Sequence, residues 1–395
     1  MKQIIILLAL TMLFLSYPNV IADEKKDVSV EKPPTHATTN KMIEWVSIRR
    51  GVVTIRLQDG SDATEYCFQY SGTFPKNDSF DWQPINSNEF QVFKFDGEYD
   101  LYVRNSSGKI STARTVKVDS GYHYTIDGVD QEGVRMRFLR MSLGAFLEQK
   151  GSSIERFNQT MLDAVWDAGV YTREGVAAAA LCGVSMLADY GASVPYYAGG
   201  MYQGEDDWGF SPDWGYRHDE PSFNSSAPNK LYYNHGLQCV GACVWAYKQA
   251  GLNLYNANIG WRIGRCGEVR YDYDNQIDYR KMKTADLMCV GEHYRMVLDR
   301  LDTDGDGECD AYLTFEMHAP DMTCRIIPMQ NIRYVERFDM SAVFQDTGKW
   351  RKFAMFYPGT YLFNDLDYGS VTDLAAEESP ETYQMVNERV FVSVD

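Results

Sequence analysis

The chain has 395 residues, long enough for two or three domains, each with its own core. Its 55 acidic residues outnumber 38 basic ones, a formal charge of −17. A surface this acidic argues against nucleic acid or an anionic membrane as a partner, because both are held through basic patches.

Residues 1–22 read as a secretory signal peptide. Lys2 supplies the positive start, Ile4 to Leu15 an apolar core, and Val20-Ile21-Ala22 a small-residue exit. The apolar core is too short for a comfortable membrane span, and no later run is apolar enough to cross one. The expected location is outside the cytoplasm, secreted or associated with the cell wall. Eight cysteines in an exported chain allow disulfides, but their spacing offers no compact framework. No CxxC pair is present, which argues against a cysteine zinc site.

Residues 23–41, charged and carrying Pro33-Pro34, predict a disordered spacer. From 42 to 119 the texture becomes short alternating runs: WVSIRR, VVTIRLQ, EYCFQYSG, EFQVFKF, EYDLYVRNSSG and RTVKV. Turn residues such as Asp59-Gly60 and Asp96-Gly97 separate them, which predicts a small antiparallel sandwich. The stretch GEYDLYVRNSSGKIS resembles the last hairpin of bacterial immunoglobulin-like or fibronectin-like repeats. With no cluster of catalytic character, this part reads as a spacer or binding module. Residues 120–154 read as a linker with a short helix at MSLGAFLEQK.

Two helices follow, NQTMLDAVWDAG and then REGVAAAALCGVSMLADYG. Thr172 can cap the second, which is small or apolar on every side and should be buried. A long loop, EDDWGFSPDWGYRHDEPSFNSSAPNK, carries Trp208, Trp214, Tyr216 and Phe223, side chains suited to a groove wall. The next stretch, YYNHGLQCVGACVWAYKQAG, places Cys239 where a turn runs into a helix that Gly251 can stop. The amide N–H groups and dipole of a helix start favour a thiolate there. Buried structural cysteines are common, so the placement alone does not assign a role. Strand-like runs then follow: ADLMCV, YRMVLDRL, AYLTFEMHA, CRIIPM and IRYVERF. Helices before strands make this half α+β.

A cysteine nucleophile needs a base and a group that orients the base. The chain holds six histidines. His293 opens one strand and His318 ends the next, so a hairpin would bring them to one end. The turn of that hairpin, LDTDGDGECDAYL, has two readings. Asp302, Asp304 and Asp306, with Asp310 in a shortened loop, match the opening of a calcium loop. Leu313 stands where such a loop wants a bidentate Glu, and a solvated Asp-Gly turn explains the same residues.

The segment from about 155 to 345 resembles the NlpC-type papain-like cell-wall peptidases. Tyr196-Tyr197-Ala198-Gly199-Gly200 matches that family's Tyr-x-x-Gly-Gly loop. Gln238-Cys239-Val240-Gly241-Ala242 resembles its nucleophile segment, with Trp245-Ala246 on the following helix. Ala285-Asp286-Leu287, His293-Tyr294-Arg295-Met296 and His318-Ala319-Pro320 resemble its later strands in the same order. Gln238, Val240 and Ala285 stand where the pattern has Asp, Ser and Gly. Gln-Cys at 238–239 is closer to the related CHAP group, whose third residue is acidic or Asn, and there Glu316 competes with His318.

The resemblance implies a papain-like domain at 155–362, behind the sandwich and ahead of an acidic tail or added strands at 363–395. It implies catalytic roles for Cys239 as nucleophile, His293 as base and His318 as orienting group, with the Tyr196 hydroxyl near the sulfur. The implied function is a secreted cysteine peptidase that cuts peptidoglycan stem peptides on the bacterial exterior, with no cofactor beyond the calcium reading. A CHAP-like amidase, or a degenerate copy used for binding, are the alternatives.

Overall fold

Alternating apolar and polar residues build two antiparallel sheets from the first part of the chain. In one, β1 (Ile43–Arg49), β2 (Val52–Leu57) and β5 (Glu89–Phe93) lie in the order β1-β2-β5. In the other, β3 (Ala63–Tyr70), β4 (Gln83–Pro84), β6 (Gly97–Asn105) and β7 (Arg114–Val118) lie in the order β4-β3-β6-β7. Val53 and Ile55 from the first sheet share a core with Leu101, Val103 and Val116 from the second. The computed structural model describes residues 42–138, 143–194, 222–223, 232–233, 239–252, 254, 278–290, 293–318 and 321–345. The signal, spacer and acidic tail of the sequence reading, and its long aromatic loop except for Ser222 and Phe223, lie outside them.

The stretch 120–154, expected as a linker, supplies structure to the second half. It carries β8 (Thr125–Ile126), β9 (Val129–Asp130), β10 (Arg137–Phe138) and α1 (Leu143–Gln149). Then come α2 (Ile154–Ala168) and α3 (Arg173–Ala188). Their caps are local: Ser153 accepts from the Arg156 N–H and Thr172 from the Gly175 N–H. After β11 (Ala192–Ser193), β12 (Ser222–Phe223) and β13 (Tyr232–Tyr233) comes α4 (Cys239–Gln249). Gly251, at φ +88°, follows this helix; a Cβ there would meet Tyr171 Cε1 at 2.5 Å.

The main sheet collects β14 (Leu287–Val290), β15 (His293–Leu301), β16 (Ala311–His318), β17 (Asp321–Pro328) and β18 (Glu336–Phe338). The order is β18-β14-β15-β16-β17-β8-β9, antiparallel except where β8 runs parallel beside β17. The run IRYVERF, expected as one strand, divides instead. A 3-10 turn over Met329–Ile332 precedes the short β18, and α5 (Ser341–Gln345) follows it. Helices α2, α3 and α4 share one core with Leu287, Met296, Leu298, Phe315 and Met317 of the sheet. The apolar α3 is buried through its middle, and a Cβ on Gly183 would fall 2.3 Å from Trp245 Cη2. Helix α4 therefore packs against α3 and across β15 and β16. Helices with a mostly antiparallel sheet make the class α+β, as expected.

The described residues all belong to one compact unit, Thr39–Asp395. The two N-terminal sheets join the main sheet through buried charge. Lys94 Nζ lies 2.7 Å from Asp299 Oδ1, and the Phe95 N–H donates to Asp299 Oδ2 at 2.7 Å. Arg300 pairs with Asp81, which also accepts from the Cys309 N–H at 2.9 Å. A cavity of about 360 Å³ lies at this seam, with Lys94, Arg173, Glu174, Asp299, Arg300 and Phe344 among its lining. Among the described residues, no helix is long and apolar enough to cross a membrane.

Candidate active site

Cys239 is the first residue of α4, and His293 is the first residue of β15. Because α4 packs across β15 and β16, its start lies beside that strand end, and the two side chains form a hydrogen bond. On its other side the ring meets Glu316 of β16, with Nε2 2.6 Å from Oε2. With Nε2 committed to the carboxylate, Nδ1 is the ring nitrogen that remains for the sulfur. Cys239 is 7% exposed, and the side chains of His293 and Glu316 are 20% and 0% exposed. The group is sheltered, and the ring between sulfur and carboxylate is its most open member.

Why Glu316 is tolerated without solvent follows from its neighbours. Strand alternation places Arg295 on the His293 side of β15, and its Nε–H donates to Glu316 Oε2. Arg325 of β17 brings Nε to 2.9 Å from Oε1. That nitrogen has one proton, however, and gives it to Asp127 Oδ1 at 2.6 Å, so Oε1 accepts no hydrogen bond. Arg325 thus adds charge without a bond.

These contacts set the protonation states. Burial pushes the Glu316 carboxyl up, but the His293 hydrogen bond and the charges of Arg295 and Arg325 outweigh it and hold it below the ordinary 4.5. For His293 burial pulls downward, but hydrogen bonds to Cys239 and Glu316 and their charges leave the ring above its ordinary 6.5. One turn along α4, burial drives the Cys243 thiol well up, as in an inert core cysteine. Among the described residues, Cys67, Cys182, Cys239, Cys243, Cys289, Cys309 and Cys324 form no disulfide.

Of the residues expected to act together, the structure brings Cys239 and His293 into contact. Glu316, the rival to His318, is the group on Nε2. His318 closes β16 opposite Asp321, and its side chain lies outside what is described. Tyr196 lies outside the described residues. Arg295, Arg325 and Asp127 were not anticipated. The first two had a signal, a charged residue inside an apolar strand (HYRMVLDRL and CRIIPM). Asp127 had none, since it comes from the supposed linker.

The calcium reading meets a folded turn. Ligand atoms of Asp302, Asp304 and Asp306 lie within 4.8 Å of one another. Asp302 accepts from the N–H groups of Gly305 at 2.6 Å and Gly307 at 3.0 Å, Asp304 from Asp306, and Asp306 from Glu308. Asp310 stands apart, accepting from the Thr303 N–H at 2.8 Å and its hydroxyl. These carboxylates already cap the turn, and none touches the Cys239 group.

The pattern's Ala285-Asp286-Leu287 is a support for β14. Asp286 is 3% exposed and accepts from Arg173 at 2.7 Å, Lys283 N at 2.8 Å and Met340 N at 3.0 Å. Ala285 holds φ +67°, a left-handed conformation that suits glycine. No family model, curated protein or solved structure matches the chain.

Proposed function

We propose that the chain is an exported cysteine hydrolase that cuts amide bonds in peptidoglycan peptides, with Cys239, His293 and Glu316 as its working group. The second half is read as a papain-like domain and the two N-terminal sheets as an immunoglobulin-like sandwich. One observation carries the reading: the His293 ring is held between a sulfur at a helix start and a buried carboxylate. The peptidoglycan substrate rests on the resemblance of the sequence to NlpC-type peptidases.

A ring raised above its ordinary value beside a cysteine favours imidazolium paired with thiolate. The thiolate attacks the amide carbonyl, forming a carbon–sulfur bond and moving the carbonyl electron pair onto oxygen. The Cys239 backbone N–H, at the start of the helix, can donate to that oxyanion. His293 passes its Nδ1 proton to the leaving amine as the carbon–nitrogen bond breaks. A water then gives its proton to Nδ1 and attacks the thioester, and the thiolate departs. Glu316 accepts the Nε2 proton throughout and keeps the ring oriented.

The acidic third group favours the CHAP-like side of the resemblance. The products separate the two outcomes. An amidase frees the whole stem peptide from its sugar, whereas an endopeptidase leaves part of the stem attached. Incubating muropeptides with the protein should produce new N-termini with the wild type and none with Cys239→Ala. Equal turnover by the alanine variant overturns the hydrolase reading.

A further inference from the structure

We infer that Arg295 is a positioning residue of this site: its guanidinium keeps Glu316 a pure acceptor, so that His293 retains its Nε2 proton and presents Nδ1 to the sulfur. The inference rests on the hydrolase reading and adds a residue that the reading does not need.

A wholly buried carboxylate takes up a proton unless charges and hydrogen bonds hold it ionised. Once protonated, Glu316 would donate to Nε2. The proton of the neutral ring would then sit on Nδ1, pointing at the sulfur, and the base would be lost. So whatever keeps Glu316 ionised also sets the tautomer of His293.

Among the described residues, the groups facing Glu316 are few. From β15 come His293 and Arg295, and from β17 come Arg325 and the Cys324 thiol. From α4, Cys239 acts on it through His293, and Cys243 lies within electrostatic range. Asp127, on the turn between β8 and β9, reaches it only by claiming the Arg325 proton. Among these, two groups donate hydrogen bonds to the carboxylate, His293 and Arg295, and both use Oε2. Among the described residues, Arg295 is therefore the one donor that can hold Glu316 ionised when His293 is neutral, midway through turnover. Its side chain is 12% exposed, so a charge-assisted bond there is little weakened by water.

Alkylation of the full-length protein by iodoacetamide across the pH range, read at the Cys239 peptide by mass spectrometry, tests this without a substrate. The wild type should react near pH 6 and His293→Ala only as an ordinary thiol does, toward roughly pH 8.5. Arg295→Gln should move the acid limb to higher pH by about one unit, and Arg295→Lys should restore most of it. Arg325→Gln should shift it less, because Arg325 gives Glu316 no hydrogen bond. Glu316→Gln, whose amide can donate to Nε2, should give the Arg295→Gln shift, and the double variant should add nothing.

A wild-type profile in Arg295→Gln, or additive shifts in the double variant, overturns the inference while leaving the hydrolase reading standing. If Arg295→Gln loses its folded melting transition, Glu316→Gln and Arg295→Lys decide: a wild-type limb in the first, or a limb as displaced as that of His293→Ala in the second, overturns it. Unchanged alkylation in His293→Ala removes the hydrolase reading itself.

Discussion

Strand β15 carries buried charge at both ends, and the two ends are built on different plans. At the seam, Asp299 meets Lys94 and Arg300 meets Asp81, one acid to one cation, with backbone N–H groups filling the remaining oxygens. At the other end a single carboxylate, Glu316, serves His293, Arg295 and Arg325, and one of its oxygens goes without a hydrogen bond. One-to-one pairing leaves every carboxylate oxygen of Asp81 and Asp299 with a hydrogen bond and makes a joint. Three cations on one carboxylate leave the imidazole poised between a sulfur and an anion, an arrangement suited to moving protons.

The largest effect expected is at the Glu316 end. Glu316→Gln should lower hydrolysis of muropeptides by roughly 10²- to 10⁴-fold, the range associated with a lost general base. The partly exposed Arg325 can turn to water, so its melting temperature should change less than that of a seam variant. Lys94→Met should do the reverse. It leaves Asp299 buried beside an apolar chain and should cost about 3–5 kcal/mol in denaturant unfolding. Adding Asp299→Leu should recover at least half of that loss. Cys239 alkylation by the folded fraction should stay as in the wild type. A seam variant that stays folded but loses thiol reactivity would break the contrast between the two ends.

The pH dependence sharpens it. Glu316 is held below 4.5 in the fold, so its contribution to stability is complete above about pH 4.5 and lost as pH falls through the folded value. His293 is held above 6.5, so its contribution is complete below that pH and lost as pH rises through the folded value. The stability gap between wild type and Glu316→Gln, measured by urea unfolding, should therefore be widest between about pH 4.5 and 6.5. The smallest effect concerns neither end. Ala285→Gly should stabilise the protein by about 0.5–1 kcal/mol, because φ +67° strains any residue with a Cβ.

Much of this was legible in the residues themselves. Six of the early strands and the helix opening at Cys239 follow from short-range periodicity and stop signals, which act within a few residues. The hairpin that brings the start of β15 beside the end of β16 was also within reach, whereas the pairing of His293 with Cys239 was implied by the family resemblance. What escaped notice depended on contacts between distant parts. Thr125-Ile126 and Val129-Asp130 are too short to show a period, yet they complete the edge of the main sheet. The Arg325 proton goes to Asp127, 198 positions away, and no local pattern announces that. Nor could alternation along β16 rank Glu316 above His318. What marks out Glu316 is the arginines on the strands to either side.

The small strand β8 has a practical consequence for preparing the second half alone. A fragment cut at residue 155, where the family resemblance begins, would strip the neighbour from β17. It would also remove the Gly128 N–H that donates to Thr323 Oγ1 at 2.9 Å. The exposed ladder of β17 would then invite another molecule to add a strand, and the product would self-associate. Starting near residue 120 keeps that border covered, although Asp299 and Arg300 would still need replacing by uncharged side chains once Lys94 and Asp81 are gone.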